Sequence, residues 1–179
     1  MFRRITTFAL ATFLLAPAAL AAQTGEALIQ KLGASPPTAN PTFPAARDVE
    51  YKVAWDVNKG PETPGALVEG FRLPANFLVL ADQEEVPRKN VHLAIIVYGT
   101  AAQSLLARDA YKAATGAENE SIPLLEALNA AGVKVIVCGV ALINRKIPRE
   151  GLLPFVQVAT SATMARATLH AQGYATFGQ

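Results

Sequence analysis

One cysteine, Cys138, is all the thiol this 179-residue chain holds. A disulfide within the chain is excluded, so Cys138 is an inert core residue, a link between chains or a working thiol. Histidine is nearly as scarce, with only His92 and His170. One Cys and two separated His do not make a usual zinc site, and no metal is expected. The chain also has no Walker A sequence, no G-x-G-x-x-G and no G-x-S-x-G. Those absences argue against NTPase, dehydrogenase and serine-hydrolase chemistry, and no cofactor is expected.

Charge is thin as well. Charged residues make up 17% of the chain against 51% hydrophobic, with 16 basic and 14 acidic side chains. Two of the basic ones, Arg3 and Arg4, precede the apolar stretch "FALATFLL" (Phe8–Leu15), and Pro17 breaks the run after it. Ala19-Leu20-Ala21 then supplies a small-x-small cleavage site, and residues 1–21 read as a signal peptide. A periplasmic or secreted location follows. The apolar segment is barely long enough to span a bilayer and is broken by threonines and a proline, so no membrane association is expected after cleavage. Removing Arg3 and Arg4 leaves 14 basic against 14 acidic residues. No Lys/Arg cluster remains to neutralise a phosphate backbone, and nucleic acid is not an expected partner.

Residues 22–48 hold a short helical turn near Thr24–Leu32 and then "GASPPTANPTFPAARDV", which starts at Gly33. Its prolines fix φ and donate no hydrogen bond, so it reads as an extended arm, and the folded domain is placed at 49–179. Val49–Val57 alternates as a strand does. Ala66–Ala81 has helical spacing, with Pro74 expected to kink or split it. "NVHLAIIVYG" (Asn90–Gly99) and "VKVIVC" (Val133–Cys138) are nearly continuous apolar runs, the mark of strands buried on both faces. Thr100 is expected to cap a helix over Ala101–Lys112, and Ser121 the next helix, with Pro123 in its first turn. A helix near Ala141, a strand at Val156–Thr160, a Ser161-capped helix to Gln172 and a last strand at Tyr174–Phe177 complete the pattern. Strands separated by helices require crossovers. The expectation is an α/β three-layer sandwich with a five-stranded, mainly parallel sheet.

In such sheets ligands bind beyond the carboxyl ends of the strands. Cys138 ends its strand, Gly139 lets the backbone turn closely after it, and the next helix start points free N–H groups toward the sulfur. That setting favours a thiolate, although a single Cys in an apolar run is also an ordinary packing residue. Tyr98, Gly99 and Thr100 end the neighbouring strand and are candidate pocket residues, with packing and capping as their plain alternatives. His92 lies six residues before Tyr98, roughly 20 Å along the strand, so it is no base for Cys138 within one subunit. His170 lies near a helix C-terminus, where the dipole accounts for it. Glu84-Glu85 reads as a solvated turn.

Three stretches, "NVHLAIIVYGTAAQSLLARDAYK", "IPLLEALNAAGVKVIVCGVAL" and "LLPFVQVATSATMARATLHAQGYATF", resemble the DsrE/DsrF-like sulfur-relay family, in particular its signal-peptide-bearing branch. The most specific elements are Cys138-Gly139 and Gly173-Tyr174-Ala175. The resemblance implies a five-stranded parallel sheet, homotrimers or larger rings, and a cysteine at position 138 that carries a persulfide to a partner protein. Two positions depart from the exported pattern: Tyr98 where Val-His-Gly is common, and Val140 where a polar residue often follows Cys-Gly. The expected function is periplasmic sulfur handling, with Cys138 as persulfide carrier between a thiol or persulfide donor and an acceptor. The alternative is a non-enzymatic oligomeric binding or scaffold protein in which Cys138 is structural.

Overall fold

The computed structural model describes residues 25–178; the signal-peptide reading lies outside them. Five strands, β1 (Tyr51–Val57), β2 (Val91–Val97), β3 (Lys134–Cys138), β4 (Gln157–Ala159) and β5 (Ala175–Phe177), form one sheet in the order β4-β3-β2-β1-β5. Every pairing is parallel. The apolar runs of β2 and β3 explain their central places, since a strand covered on both faces tolerates no polar alternation. β4 and β5, three residues each, are short edges that present few unpaired backbone groups.

Helices cover both faces, which makes the three-layer α/β sandwich. Val53, Val57, Leu93, Ile95, Val97, Val135 and Val137 point to one side. There they meet α1 (Glu26–Leu32), α2 (Arg72–Gln83) and α4 (Ile122–Ala130) through Ile29, Leu78, Leu124, Leu125 and Leu128. α3 (Arg108–Thr115) adds Tyr111 to this core. The alternate positions Ala54, Ala94, Ile96 and Ile136 face the other way, under α6 (Ala162–Ala171) and its Ala165 and Leu169. Small Ala54 and Ala94 let α6 sit close to the sheet. α5 (Gly139–Arg145) follows β3 at its carboxyl end.

Several local expectations change. Pro74 does not kink a helix, because α2 begins only at Arg72, after a 3-10 turn at Glu69–Phe71. Proline in a first turn removes an N–H that has no intrahelical partner there anyway. Thr100 caps nothing: Gly99–Leu105 is a 3-10 segment, and α3 starts at Arg108 behind Ala107. Its hydroxyl instead accepts from the Gly60 N–H at 2.7 Å and donates to the Asn58 carbonyl at 3.2 Å. Ser121 stands at the start of α4, yet its hydroxyl accepts from the Val68 N–H at 3.1 Å. Ser161 does cap α6, accepting from the Met164 N–H at 3.1 Å.

The packed core reaches back past residue 49. Ile29 of α1 is 1% exposed within the main core, and α1 packs on α2 and α4. The proline-rich stretch behind it runs along α2 without becoming a core element. Asn76 donates to the Gly33 carbonyl, Gln83 to the Ser35 carbonyl, and Glu84 accepts from the Ala45 N–H. Glu85 pairs with Arg47, so half-buried Glu84 and exposed Glu85 together anchor this stretch.

Candidate functional site

β2 and β3 run in register, Ile96 beside Ile136 and Val97 beside Val137. One residue further, Tyr98 and Cys138 arrive together at the carboxyl edge. Beyond that edge lies a cavity of about 590 Å³, and Tyr98, Gly99 and Cys138 all line it. Thr100 and Gly139 do not. Thr100 is held against Asn58 and Gly60, while Gly139 lines a neighbouring cavity with Ile143, Lys146 and Arg149. His92, in the second position of β2, stands at the opposite end of the strand, and His170 is in the last turn of α6.

Cys138 is 6% exposed, so its sulfur is recessed in the cavity wall. The residue is also the N-cap of α5, and its Sγ accepts from the Ala141 N–H at 3.4 Å. Strand end and helix start coincide because Gly139 continues directly into α5. A Cβ on Gly139 would come within 2.8 Å of the Ala159 carbonyl oxygen, so β4 can lie against this turn only because position 139 is bare. Gly99 is constrained more tightly. Its φ is +55, and a Cβ there would stand 2.4 Å from the Asn58 carbonyl oxygen.

The rest of the lining comes from the 3-10 segment and from α5 with the residues after it, whose polar side chains no local pattern singled out. Gln103 projects from the 3-10 segment, and Asn144 and Arg145 from the last turn of α5. Val140, Ala141 and Ile147 supply apolar surface. Arg145 is the one charged side chain on this lining.

Behind Tyr98 lies a second set of polar groups. Its hydroxyl donates to Asp56 Oδ2 at 3.4 Å and accepts from Asn58 Nδ2 at 3.5 Å. Arg166 reaches the same Asp56 oxygen from α6 at 2.5 Å. The Asp56 side chain is 6% exposed, and its Oδ1 is buried without a partner. The Asp56 hydrogen bond holds the Arg166 guanidinium above its usual range, against the opposing effect of burial. A signal for Asp56 was present in "VAWDV", where a lone carboxylate interrupts an apolar strand and needs a partner. Nothing local marked Arg166, Gln103, Asn144 or Arg145.

Among the described residues, no group of three or more His, Cys, Asp or Glu side chains is placed to hold a metal ion. In the same residues, no helix is long and apolar enough to cross a membrane.

Comparison with known proteins agrees with this architecture. The sequence model of the DsrE/DsrF-like family matches residues 52–177. Among solved structures, the chain is similar to the protein of unknown function MTH1491 from Methanobacterium thermoautotrophicum, at 19% identity and a TM-score of 0.53. That match covers 73% of this chain and 100% of the other. It is also similar to the ychN protein of E. coli, at 26% identity and a TM-score of 0.50, over 71% of this chain and 99% of that one. No curated protein matches the chain.

Proposed function

Because the chain belongs to the DsrE/DsrF-like family, a family of sulfur-relay type, we propose that it handles sulfane sulfur and that Cys138 carries it as a persulfide. The observation behind this reading is the sulfur of Cys138 in the wall of an open cavity at the carboxyl edge of the sheet. In the loading step the Cys138 thiolate attacks the outer sulfur of a donor persulfide, R–S–SH. A new S–S bond forms, the donor's S–S bond breaks, and its electron pair leaves with RS⁻. In the release step an acceptor thiolate attacks the terminal sulfur of Cys138–S–SH, and the pair returns to Cys138. In these steps the donor is a persulfide and the acceptor a thiol.

The test is intact-mass measurement of the purified protein after treatment with inorganic polysulfide. Wild type should gain the mass of one sulfur atom and Cys138→Ser should not. A wild type that gains nothing ends the proposal.

Export to the periplasm by cleavage after Ala21 is part of the proposal. It is checked by sequencing the N-terminus of protein recovered from that compartment. Self-association is proposed too. Ile143 and Met164 are exposed apolar side chains around the short edge strand β4, and a second copy could cover them. Sedimentation should find trimers or larger rings; a monomer at all concentrations ends this part.

One observation favours a second reading. Cys138 is nearly buried, and its sulfur has a structural task as the N-cap of α5. A scaffold protein of the same fold would need nothing more from it. Iodoacetamide applied without denaturant separates the two: labelling at Cys138 removes the scaffold reading, and its absence supports it.

A further inference from the structure

Five of the seven arginines among the described residues pair with a carboxylate: Arg47, Arg72, Arg88, Arg108 and Arg166. The two that do not are Arg145 and Arg149, which line the Cys138 cavity and the cavity next to it. Lys146 lines that adjoining cavity together with Arg149. Three cations therefore occur within five residues, with no ion pair to any described carboxylate. On the Cys138 cavity Arg145 is the one charge and there is no acidic lining; Lys146 and Arg149 add positive charge to the adjoining cavity. Gln103 and Asn144 face the same space, and neither side chain hydrogen-bonds to a described residue. An unpaired guanidinium with two free carboxamides is a donor-rich set suited to oxyanion groups.

Size and depth narrow the occupant. The cavity of about 590 Å³ is ample for a small molecule. Cys138 is 6% exposed and recessed in the cavity wall, a position that a small solute reaches more readily than a group on the flat surface of a folded protein. A small anion can descend to it.

We propose that this cavity takes a small sulfane-sulfur anion that bears an oxyanion group, with Arg145 holding the oxyanion end while Cys138 receives the sulfur. The inference rests on the persulfide-carrier reading and adds the donor class to it. Thiosulfate is the simplest member. The Cys138 thiolate attacks its outer sulfur, the electron pair of the thiolate becomes the new S–S bond, and the S–SO₃ bond breaks with its pair on the departing sulfite: Cys138–S⁻ + S–SO₃²⁻ → Cys138–S–S⁻ + SO₃²⁻. Charge is three negative on both sides. The cysteine sulfur is oxidised and the sulfonate sulfur reduced, so no further oxidant is required. Repulsion between a thiolate and a dianion opposes the encounter, and Arg145 offsets it.

The experiment treats the purified full chain with thiosulfate and follows sulfite release and intact mass. Wild type should release one sulfite per sulfur gained. Arg145→Gln should load about tenfold more slowly from thiosulfate, with Arg145→Lys recovering part of the rate. A second measurement uses no sulfur donor: the ratio of iodoacetate to iodoacetamide alkylation at Cys138. The two reagents differ in charge, so the ratio should fall severalfold in Arg145→Gln and also with added salt. Loading from polysulfide but not from thiosulfate overturns this inference and leaves the carrier reading standing. No loading from either ends both. An alkylation ratio unchanged by Arg145→Gln overturns the assignment of Arg145.

Discussion

Asp56 interrupts an apolar strand with a side chain that is 6% exposed, and its charge is met by Arg166 from α6 at 2.5 Å. Taking a carboxylate out of water costs several kcal/mol unless a partner and hydrogen bonds answer it. Here one oxygen receives Arg166 and the Tyr98 hydroxyl, and the other receives nothing. Removing the guanidinium therefore strands the charge. Arg166→Met should lower stability by about 2–3 kcal/mol, toward the low end for a broken buried pair because Arg166 is itself 35% exposed. The double variant with Asp56→Asn should recover part of that loss. Urea midpoints decide it, and a single variant indistinguishable from wild type would show that Asp56 is solvated after all. The same pair, through Tyr98, fixes one wall of the Cys138 cavity.

Elements meet at the carboxyl edge through two glycines, and the two are not equivalent. At Gly139 a methyl group meets the Ala159 carbonyl oxygen at 2.8 Å, and because that atom is backbone, β4 itself must shift. β4 is a three-residue edge strand and can give. At Gly99 the obstacle is the Asn58 carbonyl oxygen at 2.4 Å, and the backbone has a positive φ besides. Asn58 directly follows β1, and its carbonyl accepts from Thr100 and the Ala101 N–H, so it has little room to move. Gly139→Ala should cost about 1–3 kcal/mol, within the range for overpacking, and Gly99→Ala more. Thermal melts rank them, and the reverse order would mean that the β1 end is the softer contact. Pro74 and Thr100 teach a related point about elements. Pro74 obeyed its local rule in a first turn, whereas Thr100 took another task, because the α-helices begin at Arg72 and Arg108.

Across the molecule, the helix ahead of the first strand is tied in by charge as well as by Ile29. Arg88, just before β2, donates to Asp82 of α2 at 2.7 Å and to Glu26 of α1 at 2.9 Å. The Arg88 hydrogen bond, aided by charge attraction, holds the Asp82 carboxyl below its ordinary range, while partial burial opposes it. Lys112 does the same for Glu118, and Lys52 for Glu50, at the surface. A carboxylate with a lowered folded-state pKa stabilises the fold above its unfolded value of about 4, and that stabilisation disappears as pH falls through the folded value. Stability should therefore decline on acidification below about pH 4. Arg88→Gln should flatten the decline and loosen α1, which urea titrations across acid pH will read. An acid limb identical in the variant would remove Asp82 from the account.

What could be read along the chain was whatever depends on near neighbours. Continuous apolar runs made β2 and β3 central strands, Ser161 announced α6, and Cys138 stood at a strand end because a run of β-branched residues stopped there. Crossover helices then left parallel pairing as the only economical arrangement. The Tyr98–Asp56–Arg166 set joins residues 42 and 110 positions apart, and no periodicity or cap rule spans such separations. The same holds for the cavity, whose wall is assembled from Tyr98 just past β2, the end of β3, a 3-10 segment and both ends of α5. Short-range sterics and hydrophobic spacing choose the elements; only packing decides which side chains face one another across the space between them.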